Sequence, residues 1–119
     1  MLRSEVVVQV SRDSVKARDL SSGRTSSASG AFTTTRLLVG NFPVADEALK
    51  RAFRELHLSG FKRLSVFVHQ LEMAEGGLSA VEERVLLELA AGVGATRALA
   101  YAGPPLSDQE ISNRLQAVE

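Results

Sequence analysis

Two apolar runs of strand character bracket one capped helix between residues 62 and 105, and that spacing leaves few folds open. Arg63-Leu-Ser-Val-Phe-Val-His69 is rich in β-branched and aromatic residues, which suit a pleated, buried surface. Leu71 to Gly77 reads as a loop with a Gly-Gly exit. Ser79-Ala-Val-Glu82 then has the form of a capping box. In that motif the serine hydroxyl accepts from the N–H three residues on, and the glutamate reaches back to the serine N–H. The helix it opens should stop near Gly92 or Gly94, where glycine tolerates a left-handed backbone. Thr96-Arg-Ala-Leu-Ala-Tyr-Ala102 is a second apolar strand, ended by Gly103-Pro104-Pro105. A strand, a crossover helix and a strand of these lengths predict a parallel, right-handed βαβ core.

The flanks extend this core. Glu5 to Val10 alternates as a strand, with Val6, Val8 and Val10 on one face. Ser11-Arg-Asp-Ser14 is a turn, and Val15 to Leu20 alternates again, so residues 5–20 predict a β-hairpin. Residues 24–35 are rich in Ser, Thr, Gly and Ala, with Phe32 the large apolar residue. They fit either an edge strand or a mobile loop. Arg36-Leu-Leu-Val39 has strand character and ends at Gly40-Asn41. After Pro43, apolar residues at Ala45, Ala48, Leu49, Ala52, Phe53 and Leu56 share one helical face, and Ser59-Gly60 is the expected stop. In the helix after Ser79 the buried stripe is Val81, Val85, Leu86, Leu89, Ala90 and Val93, with Leu87 off it. Ser107-Asp-Gln-Glu110 is a second capping box, opening a helix to about Ala117 with Ile111 and Leu115 inward.

The order β-β-(β)-α-β-α-β-α predicts an α/β (α+β) fold. It is a mixed sheet of about five strands with an antiparallel N-terminal meander and two to three helices, of ribonuclease H-like architecture. At 119 residues the expectation is one domain over residues 1–119.

Composition narrows the function classes. Net charge is zero, which argues against a general nucleic-acid binder. The charge is uneven, however: 11 of the 14 Lys/Arg residues, but 6 of the 14 Asp/Glu residues, fall in residues 1–63. Such polarity suits either head-to-tail association or ordinary solvated surfaces. There is no cysteine, so disulfides, thiolate metal sites and thiol nucleophiles are excluded. No apolar run reaches membrane-spanning length, and Met1-Leu-Arg-Ser-Glu5 lacks the features of a signal peptide. A cytoplasmic protein is the expectation.

Chemistry-bearing motifs are sparse. Gly76, Gly77 and the Ser79 helix start form the candidate anion site, since small residues before a helix N-terminus let backbone N–H groups approach an anion. Glu75 and Glu82 flank it and no lysine accompanies it. His57 and His69 are too far apart in sequence for a metal-ligand spacing and are expected to be half-buried structural residues. Ser79 has no histidine base beside it and is accounted for as a cap. Glu5 and Asp19, on the first two strands, lack an obvious third acid for a divalent-metal nuclease. The expectation is no catalytic residue, no metal ligand and no cofactor.

Several stretches carry a resemblance. Ser79-Ala-Val-Glu-Glu-Arg84, Gly92-Val-Gly-Ala-Thr-Arg97, the strand Ala98 to Ala102 and Gly103-Pro104 follow one another as in a known pattern. That pattern is a Thr/Ser-Xaa-Val-Glu helix start, an Ala-Gly-Ala-Arg helix end, an apolar strand and an acidic pair before proline. Leu38-Val-Gly-Asn-Phe-Pro-Val-Ala-Asp-Glu-Ala-Leu49 is similar to its Val-Ile-Ala-Asp-Phe-Xaa-Val-Thr stretch. Over roughly residues 5–105 the chain resembles the actin-like ATPase superfamily, and within it a shortened first domain of the MreB family of rod-shape determinants. The departures fall on that family's chemistry. Its first phosphate loop, Asp-Xaa-Gly-Thr-Xaa-Xaa-Thr, corresponds to about Gln9-Val-Ser-Arg-Asp-Ser14, and its water-positioning glutamate to Ala102-Gly103. The family's second nucleotide-binding half is also expected to be missing. The resemblance therefore implies a non-catalytic relative without ATPase activity. Its role would be to bind a protein partner or a second copy, in cell-shape or envelope assembly. The alternative is a small nucleotide- or anion-responsive regulator using Gly76, Gly77 and Ser79.

Overall fold

The computed structural model describes residues 3–58 and 63–118. Strands β1 (Arg3–Ser11), β2 (Ser14–Asp19) and β3 (Thr25–Ser29) precede helix α1 (Phe42–Leu56). Then come β4 (Arg63–Gln70), α2 (Ala80–Gly92), β5 (Arg97–Tyr101) and α3 (Asp108–Gln116). They build one five-stranded mixed sheet in the order β3-β2-β1-β4-β5. The β1-β2 and β2-β3 pairs are antiparallel; β1-β4 and β4-β5 are parallel.

Period-two alternation gives the sheet two unlike faces. Val6, Val8, Val10, Val15, Ala17, Val66 and Val68 point to one side and are fully buried under α1 and α2. α1 packs across β2 and β3, and α2 across β4 and β5. Val7, Phe67 and Leu99 point to the other side, where α3 covers them with Ile111 and Leu115. Toward β2 and β3 this second face turns polar and open, with Lys16, Thr25, Ser27 and Ser29 exposed.

Helix boundaries follow local chemistry. Ser79 and Glu82 make both bonds of the capping box at α2. At α3 only the Ser107 half is made: its hydroxyl accepts from the Glu110 N–H. α1 starts at Phe42, with Pro43 in its first turn, where a missing N–H costs nothing. It ends at Leu56 because His57 takes a left-handed conformation, φ 52°; the expected Ser59-Gly60 stop lies outside the described residues, as does Lys62.

Three expectations are corrected. Arg36–Val39 is not a strand. Its loop is closed by local bonds instead: the Gly40 and Asn41 N–H groups both donate to the Phe32 carbonyl at 2.9 Å, and the Thr34 N–H to the Leu37 carbonyl. The loop thereby inserts Phe32, Leu38 and Val39 into the core without lending its backbone to the sheet. Val81 is 63% exposed rather than part of the α2 stripe, since it sits in the first turn, beyond the reach of the sheet. The histidines are not half-buried: His57 is exposed and His69 is buried. Residues 25–29 form the edge strand β3. No helix among the described residues is long and apolar enough to cross a membrane.

Candidate functional site

β1, β4 and β5 run parallel, so their carboxyl ends share one edge of the sheet. In open α/β sheets the crevice beyond that edge is the usual ligand site. Here the loops following Ser11, Gln70 and Tyr101 meet, and they bond chiefly to one another. The Arg12 N–H donates to Glu72 Oε2 at 2.7 Å. The Leu71 N–H donates to the Val10 carbonyl at 2.9 Å. Gln70, 3% exposed, sends its amide N–H groups to the carbonyls of Glu72 and Met73 and to Glu82 Oε2. His69 Nε2 lies 2.9 Å from the Gly103 carbonyl, and the Tyr101 hydroxyl donates to the Pro104 carbonyl at 2.6 Å. Behind them Phe67, His69 and Tyr101 form an aromatic stack, with the Arg114 guanidinium 5.5 Å from the Tyr101 ring centre.

The first hairpin turn is fastened in the same way. Asp13 takes a left-handed backbone, φ 53°, tolerable for aspartate. Its N–H donates to Thr33 Oγ1 at 2.9 Å and its Oδ1 accepts from the Thr33 N–H at 2.8 Å. The residues in the place of a phosphate loop thus tie the hairpin to the Phe32 loop.

The candidate anion site, Gly76, Gly77 and Ser79, does fall on this edge. Both glycines have positive φ, 80° and 93°. A Cβ built on either meets nothing within 4 Å, so backbone conformation and not a close neighbour calls for glycine there. The helix start is already occupied by a carboxylate. Glu82 Oε1 accepts from the Ser79 N–H at 2.9 Å, and Ser79 Oγ accepts from the Glu82 N–H at 3.1 Å. The bond from the Ser79 backbone holds the Glu82 carboxyl below its usual range, with smaller help from Gln70 and a partial offset from burial. An incoming phosphate would have to compete with a charge the chain supplies itself.

The remaining candidates do not converge. Glu5 Oε1 accepts from the Ser112 hydroxyl at 2.7 Å. Asp19 bonds the Ser21 N–H and the Ser22 hydroxyl in its own turn. Among the described residues no three His, Asp or Glu side chains come together as a metal site. Ala102 and Gly103 offer no carboxylate, and the Gly103 carbonyl faces His69. Sequence reasoning missed Gln70 as the central clamp and the Asp13–Thr33 pair. The Asp13–Thr33 pair spans 20 residues and has no local signal; Gln70 bonds the nearby Glu72 and Met73 carbonyls as well as Glu82, but the path that folds this loop back over the side chain is not written in its residue types. At the opposite edge of the sheet, a groove of about 510 Å³ lies between the ends of α1 and α2.

No family model matches the chain. Among curated proteins it is 42% identical over 96 residues to the "Uncharacterized protein YjaA" of Escherichia coli, spanning 75% of this chain and 76% of that protein. The chain belongs to the YjaA family. Among solved structures, this YjaA-family chain is similar to MamK, an actin-like ATPase, in a non-polymerising mutant bound to AMPPNP. The TM-score is 0.65 at 13% identity over 85% of this chain, which spans about two fifths (41%) of the MamK chain. At that identity the likeness is one of fold, and the fold is actin-like.

Proposed function

We propose that this YjaA-family domain is a non-catalytic protein-binding module related to the MreB branch of actin-like proteins, serving cell-shape or envelope assembly. The observation that carries the reading is the self-closed carboxyl edge. Where an actin-like fold would need backbone donors and a carboxylate for nucleotide chemistry, Gln70, His69 and Glu82 bond the chain's own loops. Positioning and cleaving a triphosphate needs preorganised donors and a base aimed at the reacting atoms. Ala102-Gly103 has no carboxylate, and the Arg12 N–H and the Asp13 carboxylate are engaged with Glu72 and Thr33. What is retained is a rigid scaffold, and its surfaces are left for recognition.

Two measurements test this. Calorimetry and thermal shift with Mg-ATP and with AMPPNP should show no saturable heat and no stabilisation. A saturable signal weakened by Glu82→Ala or Ser79→Ala would overturn the reading in favour of a nucleotide-responsive regulator at Gly76-Gly77. Co-sedimentation with purified MreB filaments should carry the protein into the pellet in a saturable manner. Retention in the supernatant at concentrations well above those of the filament subunits would remove MreB as the partner.

A further inference from the structure

Helix α3 is fastened far more lightly than α1 and α2. It buries two residues, Ile111 and Leu115, where α1 buries five and α2 three. Those two meet Val7 and Phe67 in a cluster of their own, with Leu99, Tyr101 and Leu106 partly buried around them. No residue of the main core comes from α3, so α3 can leave without opening that core. No backbone hydrogen bond joins α3 or residues 105–107 to the sheet among the described residues. The chain leading to α3 is pinned as far as Pro104, whose carbonyl accepts from the Tyr101 hydroxyl.

The polar ties that hold α3 are weak, and one carries a cost. Arg18 and Asp108 pair on side chains that are 35% and 56% exposed, where water and salt screen the attraction. Glu5 lies two residues from Val7 on the sheet face under α3, and its Oε1 accepts from the Ser112 hydroxyl at 2.7 Å. Its Oε2 is closed off from solvent and has no donor among the described residues. A buried carboxyl oxygen without a donor opposes whatever encloses it. Part of that enclosure is docked α3, since Ser112 stands on the same carboxyl group, with Asp108 and Gln109 beside it.

We propose that residues 105–116 form a lid. They swing away as a unit from the Pro104 anchor while the sheet and its α1/α2 core stay folded. Segments that open below the cost of global unfolding are those with few buried apolar contacts and no backbone ties to the rest. α3 has both properties, and Glu5 gains by its departure. The lid gates one contiguous surface: Val7 stands opposite Phe67, and Phe67 opposite Leu99, in the register of three neighbouring strands. Closed, α3 keeps that apolar strip out of water; open, it bares the strip together with the Glu5 carboxyl group.

The test is amide hydrogen exchange followed by NMR on the intact chain at neutral pH, with a thiol probe beside it. The α3 amides should exchange roughly tenfold faster, or more, than the protected amides of β1 and β4, and with little dependence on low urea, the mark of a small local opening. Ser112→Ala removes the α3 donor to Glu5 and should speed exchange in α3 about tenfold further, leaving the sheet unchanged. Glu5→Met together with Ser112→Ala removes both partners and should return α3 to its wild-type protection or above it. The chain has no cysteine, so a single introduced thiol reports the face itself. Val7→Cys, under α3, should react with a disulfide reagent roughly tenfold faster than Val8→Cys in the main core. The inference is overturned if α3 and the sheet exchange at one rate with one urea dependence, or if Ser112→Ala speeds both alike. It is also overturned if the double variant stays as loose as Ser112→Ala, or if the two thiols react alike. The comparison of α3 with the sheet in the unaltered chain decides the matter whether or not a variant folds. None of these outcomes bears on co-sedimentation with filaments, so the two readings fail separately.

Discussion

Phe32 tests whether the loop between β3 and α1 belongs to the core. Its ring is fully buried, and its carbonyl accepts from both Gly40 and Asn41. If the loop is an integral wall of the core, Phe32→Ala should behave as a core truncation and destabilise by about 3–5 kcal/mol. Total stability for a chain of this kind is about 5–15 kcal/mol, so the variant would keep only part of it. With a urea m-value near 1.5 kcal/mol/M, about 4 kcal/mol would move the unfolding midpoint down by roughly 2.5 M. Phe32→Leu keeps most of the volume and should cost less than about 1.5 kcal/mol. Urea unfolding followed by far-UV circular dichroism reads both. A loss below about 1 kcal/mol for Phe32→Ala would refute the reasoning, since an unpacked loop feels truncation no more than an ordinary surface does. A normal midpoint with an early separate transition would refute it too, because the loop would then be opening by itself.

Other expectations follow from single contacts. Ser79→Ala and Glu82→Ala should each cost about 1 kcal/mol, and the double variant less than their sum, because the two bonds form one motif. Glu82 is held below its usual pKa in the folded chain; its contribution is present above the unfolded value and lost as pH falls through the folded one, so Glu82→Gln should flatten the acid side of the stability profile. Arg18 and Asp108 make a bidentate pair at 2.8 and 2.9 Å on partly exposed side chains, so Arg18→Ala should cost less than about 1 kcal/mol, and less again in high salt. Val81→Ala should be neutral to within about 0.5 kcal/mol by thermal melting, since the side chain is mostly in water.

Much of the fold was legible because its signals are local. The Ser79 box, the alternating valines of β1 and the helical stripe of α1 each state their structure within a few residues. Arg36–Val39 misled because an apolar run that plugs a core and one that joins a sheet look alike; what separates them is where the backbone groups bond, and here the Leu37 N–H donates to Thr34 Oγ1 while the Leu37 and Leu38 carbonyls accept from the Thr34 N–H and the Thr33 hydroxyl. Val81 misled because helical phase was legible but the distance of the first turn from the sheet was not. The candidate site was the least legible part. Glycine doublets and helix starts are visible in sequence, but the occupation of the Ser79 start depends on Gln70 steadying Glu82 from another element. The groove between the ends of α1 and α2 could not be foreseen, since its lining comes from elements as far apart in the chain as Ser4 and Val93.

The sheet order has a consequence for how the chain is made. β1 is the central strand, and its parallel partner β4 follows it by about 60 residues. The β1-β2-β3 meander can form as soon as residue 29 is available, whereas β1 keeps one bare edge until β4 arrives. Closing so long a segment is the slow step expected of parallel pairing. Nascent chains that stop short of residue 70 would therefore expose a strand edge prone to self-association. In refolding kinetics, Val66→Ala on β4 should slow folding more than an equally destabilising change on β3; equal effects on the unfolding rate alone would place the closure after the barrier.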